Sequence, residues 1–149
     1  VEVAGDDDLG VRGAEIVELV AHLASKHSEV SGVDAHRAQF GPGDLDRVAT
    51  SVNNLKWSAQ VTITVHDANH NALSGALVSG GWSVGGTSSC TTGTNGSCAV
   101  TLSNLNKNRN PSVTYTVNNV TKSGYTYQSG SNHDPDGDSN GTQITINRP

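Results

Sequence analysis

Asp134, Asp136 and Asp138 stand at alternate positions in the stretch Asn132-His133-Asp134-Pro135-Asp136-Gly137-Asp138-Ser139-Asn140-Gly141-Thr142, and Asn140 continues the spacing. A hard cation such as Ca2+ takes about six to eight oxygens from carboxylates, amide carbonyls, backbone carbonyls and water. Alternate residues on a curled loop can turn several such oxygens inward, and Gly137 and Gly141 permit the tight turns this needs. The stretch is not an EF-hand. Counted from Asp134, its sixth position is Ser139 where that loop has Gly, and its twelfth is Thr145 where that loop has a bidentate Glu. A solvated acidic turn between two strands would use the same residue types, so the motif alone does not decide between the two readings.

Asp44 and Asp46 repeat the alternate spacing within Gly43-Asp44-Leu45-Asp46. They precede the first strand expected below, and the Asp134–Asn140 loop precedes the last. In an immunoglobulin-like sandwich the first and last strands can run near one another, so these five carboxylates can converge. Gathered without a cation they would repel one another strongly. The expected role is therefore a structural Ca2+ clamp, with Asp44, Asp46, Asp134, Asp136, Asp138 and Asn140 as its ligands. Asp67 is expected at the opposite pole, outside this set.

The elements that must position these groups are mostly strands. From Trp57 the hydrophobic period is two: Trp57, Ala59, Val61, Ile63 and Val65 share one face, and Ser58, Gln60, Thr62, Thr64 and His66 the other. The run ends in His66-Asp67-Ala68-Asn69-His70-Asn71, rich in residues that tolerate turn geometry. Ala76, Val78, Trp82 and Val84 form a second alternating run, and Ala99–Leu102, Val113–Val117, Tyr125–Tyr127 and Ile144–Ile146 suggest others. Short strands at this spacing predict a mainly β fold, an antiparallel sandwich of the immunoglobulin-like kind.

Before Trp57 the pattern differs. Ile16, Leu19, Val20 and Leu23 make one apolar stripe, which predicts an amphipathic helix over 13–29 that must dock on a sheet or a neighbouring molecule. Val1 and Val3 suggest a short edge strand ahead of it. His22 and His27, five apart, lack the spacing that puts two imidazoles on one metal and read as surface residues. Residues 31–54, with Phe40-Gly41-Pro42-Gly43, read as a connection carrying one buried anchor, Phe40. The expected organisation is an N-terminal extension over 1–40 and a sandwich over 41–149.

Charge and composition narrow the function classes. The chain has 149 residues and a net charge of −5, and its basic residues form no cluster able to track a phosphate backbone, so nucleic acid is not an expected partner. No apolar run approaches the length of a membrane span. Cys90 and Cys98 flank seven residues rich in turn formers and are expected to pair and staple a hairpin, which suits a secreted protein. A two-residue turn at Asn95-Gly96 would leave them out of register, so pairing requires a wider loop or a bulge. Asn95-Gly96-Ser97, Asn119-Val120-Thr121 and Asn140-Gly141-Thr142 match the N-glycosylation sequon, which makes Asn95, Asn119 and Asn140 candidate attachment sites. The expected location is extracellular or cell-surface, after removal of a secretion signal.

Several of these pieces together resemble a bacterial immunoglobulin-like domain, of the kind found behind the catalytic domain of secreted subtilisin-like proteases and in other exoproteins. The similarity covers about 41–149. It rests on Gly43–Asp46, on Trp57–Asn71, on Ser89-Cys90-Thr91-Thr92 with Gly96-Ser97-Cys98, and above all on Asn132–Thr142. The resemblance implies a non-catalytic extracellular sandwich and brings no protease with it, since a subtilisin-type site needs Asp, His and Ser each in its own long context. Three functions follow as expectations. One is a structural subunit that assembles with copies of itself into a filament, tube or surface layer through its N-terminal strand or helix. Another is an accessory spacer or carbohydrate-binding module, which would use exposed Trp57 or Trp82. The third is a small hydrolase, with Asp134 or Asp138 and His133 or His70 as acid and base, although the sequence builds no pocket around them. The first is favoured.

Overall fold

The computed structural model describes residues 38–149. The helix expected over 13–29 and the edge strand at Val1–Val3 lie outside the described residues. Among the described residues eight strands occur: β1 Ala38–Ser51, β2 Lys56–Asp67, β3 Leu77–Trp82, β4 Thr87–Thr91, β5 Ser97–Asn106, β6 Ser112–Thr121, β7 Tyr125–Tyr127 and β8 Gln143–Asn147. They form two four-stranded sheets, ordered β5-β2-β1-β7 and β4-β3-β6-β8. The fold is mainly β, a two-sheet sandwich. Every pairing is antiparallel except that of β1 with β7, which is parallel over Ala38–Phe40. No helix among the described residues is long and apolar enough to cross a membrane.

The inner faces follow the alternation read from sequence. Trp57, Ala59, Val61, Ile63 and Val65 of β2 are each 0% exposed, and they meet Val78 of β3, Val113, Tyr115 and Val117 of β6, and Ile144 and Ile146 of β8 in one core. Val84 is the exception. It is 47% exposed because β3 ends at Trp82 and the chain turns there, the Gly85 N–H donating to the Trp82 carbonyl. Both tryptophans are buried, and each indole N–H finds an acceptor: Trp57 the Asn110 carbonyl at 3.1 Å, Trp82 the Ser88 hydroxyl at 2.9 Å.

Two corrections concern how the ends of the sheets are closed. Residues expected as a connection form the fourteen-residue strand β1. Glycine and proline at positions 41–43 hide it, because they break the alternation where the strand carries a bulge. Pro42 pairs with Val65 and Asp44 with Thr64, so Gly43 has no partner. The extra residue turns Leu45 into the core and puts Asp44 and Asp46 on the opposite face. Proline fits such a position because the bulge asks for no ladder N–H from it. The second correction concerns Cys90 and Cys98, which are bonded with a Cα–Cα distance of 5.8 Å. They do not staple a hairpin within one sheet. Cys90 lies in β4 and Cys98 in β5, the edge strands of opposite sheets, so the bond ties the two layers together and their ladder register places no demand on it.

Tyr115 yields a pH prediction. It is 0% exposed, its hydroxyl donates to the Ser88 carbonyl at 3.2 Å, and burial pushes its pKa up to about 12. An unfolded tyrosine ionises near about 10. Between those values the unfolded chain releases a proton that the folded chain retains, so the stabilisation is complete below the lower value and lost as pH rises through the upper one. Urea midpoints should fall across that alkaline window, and Tyr115→Phe should fall less steeply than wild type.

Candidate metal centre

Beyond Phe40, the chain from β7 to β8 runs along the edge of β1 that no strand among the described residues covers. It is pinned there by the Gln128 N–H donating to the Phe40 carbonyl at 3.1 Å and the His133 N–H donating to the Pro42 carbonyl at 3.3 Å. Asn132 braces its start, its Nδ2 donating to the Tyr127 hydroxyl at 2.9 Å and to Thr142 Oγ1 at 2.8 Å. Gly141 closes the base of the loop with φ +75°, and a Cβ there would overlap the backbone of His133. Arg47 of β1 fastens the far side: its Nη1 donates to the Asp138 and Thr145 carbonyls at 3.2 and 2.9 Å, and its Nε lies 3.5 Å from the Asp138 carboxylate.

This path brings the two acidic stretches together. Ligand oxygens of Asp44, Asp46 and Asp136 lie within 4.8 Å of one another, as do those of Asp134, Asp136 and Asp138. Oxygens on one Ca2+, at about 2.3–2.6 Å from the ion, are separated by no more than about 5 Å. The two trios share Asp136. One Oδ1 from each of Asp44, Asp134 and Asp138 is hidden from solvent and has no hydrogen-bond partner among the described residues. Hidden acceptors of this kind call for a donor or a cation.

The electrostatics are those of crowded acids. Burial, a hydrogen bond to Asp134 and the charges of Asp46, Asp136 and Asp134 raise the Asp44 pKa to about 6. Burial also raises Asp138, aided by Asp136, Asp134 and Asp46 and opposed by Arg47. Asp134 moves the other way. Burial works against its ionisation, but hydrogen bonds from the Ser139 side chain and backbone N–H hold it below the ordinary carboxylate range. Asp44 is thus harder to ionise than an ordinary carboxylate and Asp134 easier, the two side chains lying in one acidic cluster.

The remaining sequence-derived candidates fall elsewhere. Asn140 Oδ1 accepts the Thr142 and Gln143 N–H groups, which commits it to the turn into β8. Asp67 is not at the opposite pole: it lies in the β2 turn whose His66 touches His133 of the same loop. Its carboxylate organises that turn by accepting the Asn69 and Asn71 N–H groups at 2.8 and 3.0 Å, and these bonds from Asn71 and Asn69 lower its pKa. Asn95, Asn119 and Asn140 are all exposed. Gly81-Trp82-Ser83-Val84-Gly85, a G-x-S-x-G match, is the turn between β3 and β4, not the strand-to-helix elbow of a hydrolase. Ser83 Oγ there accepts the Thr114 N–H at 3.0 Å.

Comparison with protein-family models, with curated proteins and with solved structures found no match.

Proposed function

We propose that this chain is a non-catalytic extracellular structural protein, an immunoglobulin-like sandwich whose β1 edge is fastened to the β7–β8 loop by Ca2+, and that copies of it associate into a filament, tube or layer. The observation that carries the reading is the convergence of Asp44 and Asp46 with Asp134, Asp136 and Asp138, leaving three hidden carboxylate oxygens without a partner among the described residues. A cation there would join residues about ninety positions apart in sequence and so restrict opening of the sandwich edge. The residues expected to act as acid and base in a hydrolase are better accounted for as parts of this clamp and of the turn beside it.

Association draws support from an apolar tip. Val48, Val52 and Leu55, around the β1–β2 hairpin, are 51%, 57% and 63% exposed. The amphipathic pattern over 13–29 also needs a face to cover. The alternative, an accessory module that grips carbohydrate on exposed Trp57 or Trp82, loses both residues to the core. Sedimentation and negative-stain imaging in Ca2+ and in chelator test the proposal. Polymers or oligomers are expected in Ca2+, and smaller species after chelation. Monomers at high concentration in Ca2+ would remove assembly and leave a spacer module.

A further inference from the structure

A second cluster lies beside the carboxylates and differs from them in chemistry. His66 ends β2, His70 sits in the turn that follows, and His133 comes from the β7–β8 loop. One ring nitrogen from each lies within 4.8 Å of the others. The ring centroids are 4.7 Å apart for His66–His70, 4.7 Å for His66–His133 and 5.4 Å for His70–His133.

Hydrogen bonds determine which nitrogens face inward. His66 Nδ1 is 2.8 Å from the Asp67 carbonyl and His133 Nδ1 is 3.2 Å from the Ser131 carbonyl. A carbonyl only accepts, so both Nδ1 atoms carry the proton and both Nε2 atoms present lone pairs in the neutral rings. Those two Nε2 atoms stand 3.2 Å apart. Imidazole nitrogens at 2.0–2.1 Å from a tetrahedral Zn2+ lie about 3.3–3.4 Å apart, close to the observed gap. Backbone carbonyls on the far nitrogens are also the usual outer support of metal-bound histidines.

The backbone holds this arrangement at some cost. His70 adopts φ +62°, a left-handed conformation uncommon outside glycine, although asparagine, aspartate and histidine enter it more often than other residues. The Asp67 carboxylate clamps the turn that imposes it. Gly43, the bulged residue of β1, lies against the His66 ring, and a Cβ there would overlap it. The three rings line a cleft of about 230 Å³, with Gly41, Asp67 and Ser131 among the other walls.

We propose that His66, His70 and His133 form a binding site for a borderline transition-metal ion such as Zn2+, separate from the carboxylate site, with its remaining coordination position open to the cleft. Imidazole favours Zn2+ and its neighbours over Ca2+, whereas the carboxylate cluster has the opposite preference. The ion links the β2 turn to the loop that carries Asp134, and water or a small ligand from the cleft completes its shell.

The test keeps the protein in excess Ca2+, which occupies the carboxylates, and titrates Zn2+ alone by calorimetry. A single equivalent should bind. His70→Asn, which suits the left-handed backbone, and His133→Gln should each weaken binding at least about tenfold, whereas Asn119→Gln, at an exposed position of β6, should leave it unchanged. Co2+ in place of Zn2+ should give visible absorption bands of low-symmetry four-coordinate geometry that disappear in His70→Asn. His70 is exposed, so its variant is expected to melt like wild type in chelator. Absence of Zn2+ binding, or affinity unchanged by His70→Asn, would overturn the site.

Discussion

Asp44→Asn is expected to move the melting temperature in opposite directions with and without calcium. In chelator near neutral pH, the wild-type chain must either ionise Asp44 among Asp134, Asp46 and Asp136 or keep it protonated above its pKa of about 6. Either choice costs free energy. Asparagine removes that cost, and its amide can still donate to Asp134, so the variant should melt above wild type. In calcium the same change deletes a ligand. At a concentration about a hundredfold above Kd, a bound ion stabilises the fold by about 2.7 kcal/mol, and losing much of that should lower the midpoint by about 5 °C or more. Thermal melts of both proteins in both buffers read the crossing. A purely structural role for Asp44 would shift both melts the same way.

Trp57→Ala is expected to destabilise the sandwich by about 3–5 kcal/mol, the usual range for deleting a large buried aromatic. Trp57 is 0% exposed and lies where the β2–β5 ladder shifts register, between its pairing with Leu105 and that of Ala59 with Leu102. Its loss would leave a cavity between the sheets and strip the Asn110 carbonyl of its indole donor. Against a typical net stability of about 5–15 kcal/mol, this places the variant near unfolding at moderate temperature. Trp57→Phe keeps most of the volume and should fall between. Urea denaturation of the three proteins checks the order. A Trp57→Ala chain as stable as wild type would mean that the indole is not part of the core.

What was legible in the sequence follows from how locally each feature is encoded. The β2 face reads directly because one side of that strand is wholly buried, so its alternation is unbroken from Trp57 to Val65. β1 was hidden because Gly41, Pro42 and Gly43 announce a loop, although here they build a bulge. That bulge orients Asp44 and Asp46, whose alternate spacing with Leu45 between them was the readable sign. Their meeting with Asp134, Asp136 and Asp138 was expected for another reason, the nearness of first and last strands. Asp44 and Asp46 lie within β1 itself, β1 and β8 belong to different sheets, and it is the β7–β8 loop, running along β1, that brings the acids together. The disulfide pair was legible from proximity, but its span across two sheets was not, since nothing local says that β4 and β5 belong to different layers. The histidine cluster escaped for a related reason. His66 and His70 stand four apart in a turn, a usable signal, but His133 arrives from a loop sixty-seven residues away from His66.

The central claim is that a cation joins β1 to the β7–β8 loop, and the most direct measurement is the thermal melt of the wild-type protein as calcium is removed and returned. Chelation should lower the midpoint by about 5 °C or more, and added Ca2+ should restore it in a saturable way. Superimposable melting curves in chelator and in millimolar Ca2+ would contradict the clamp.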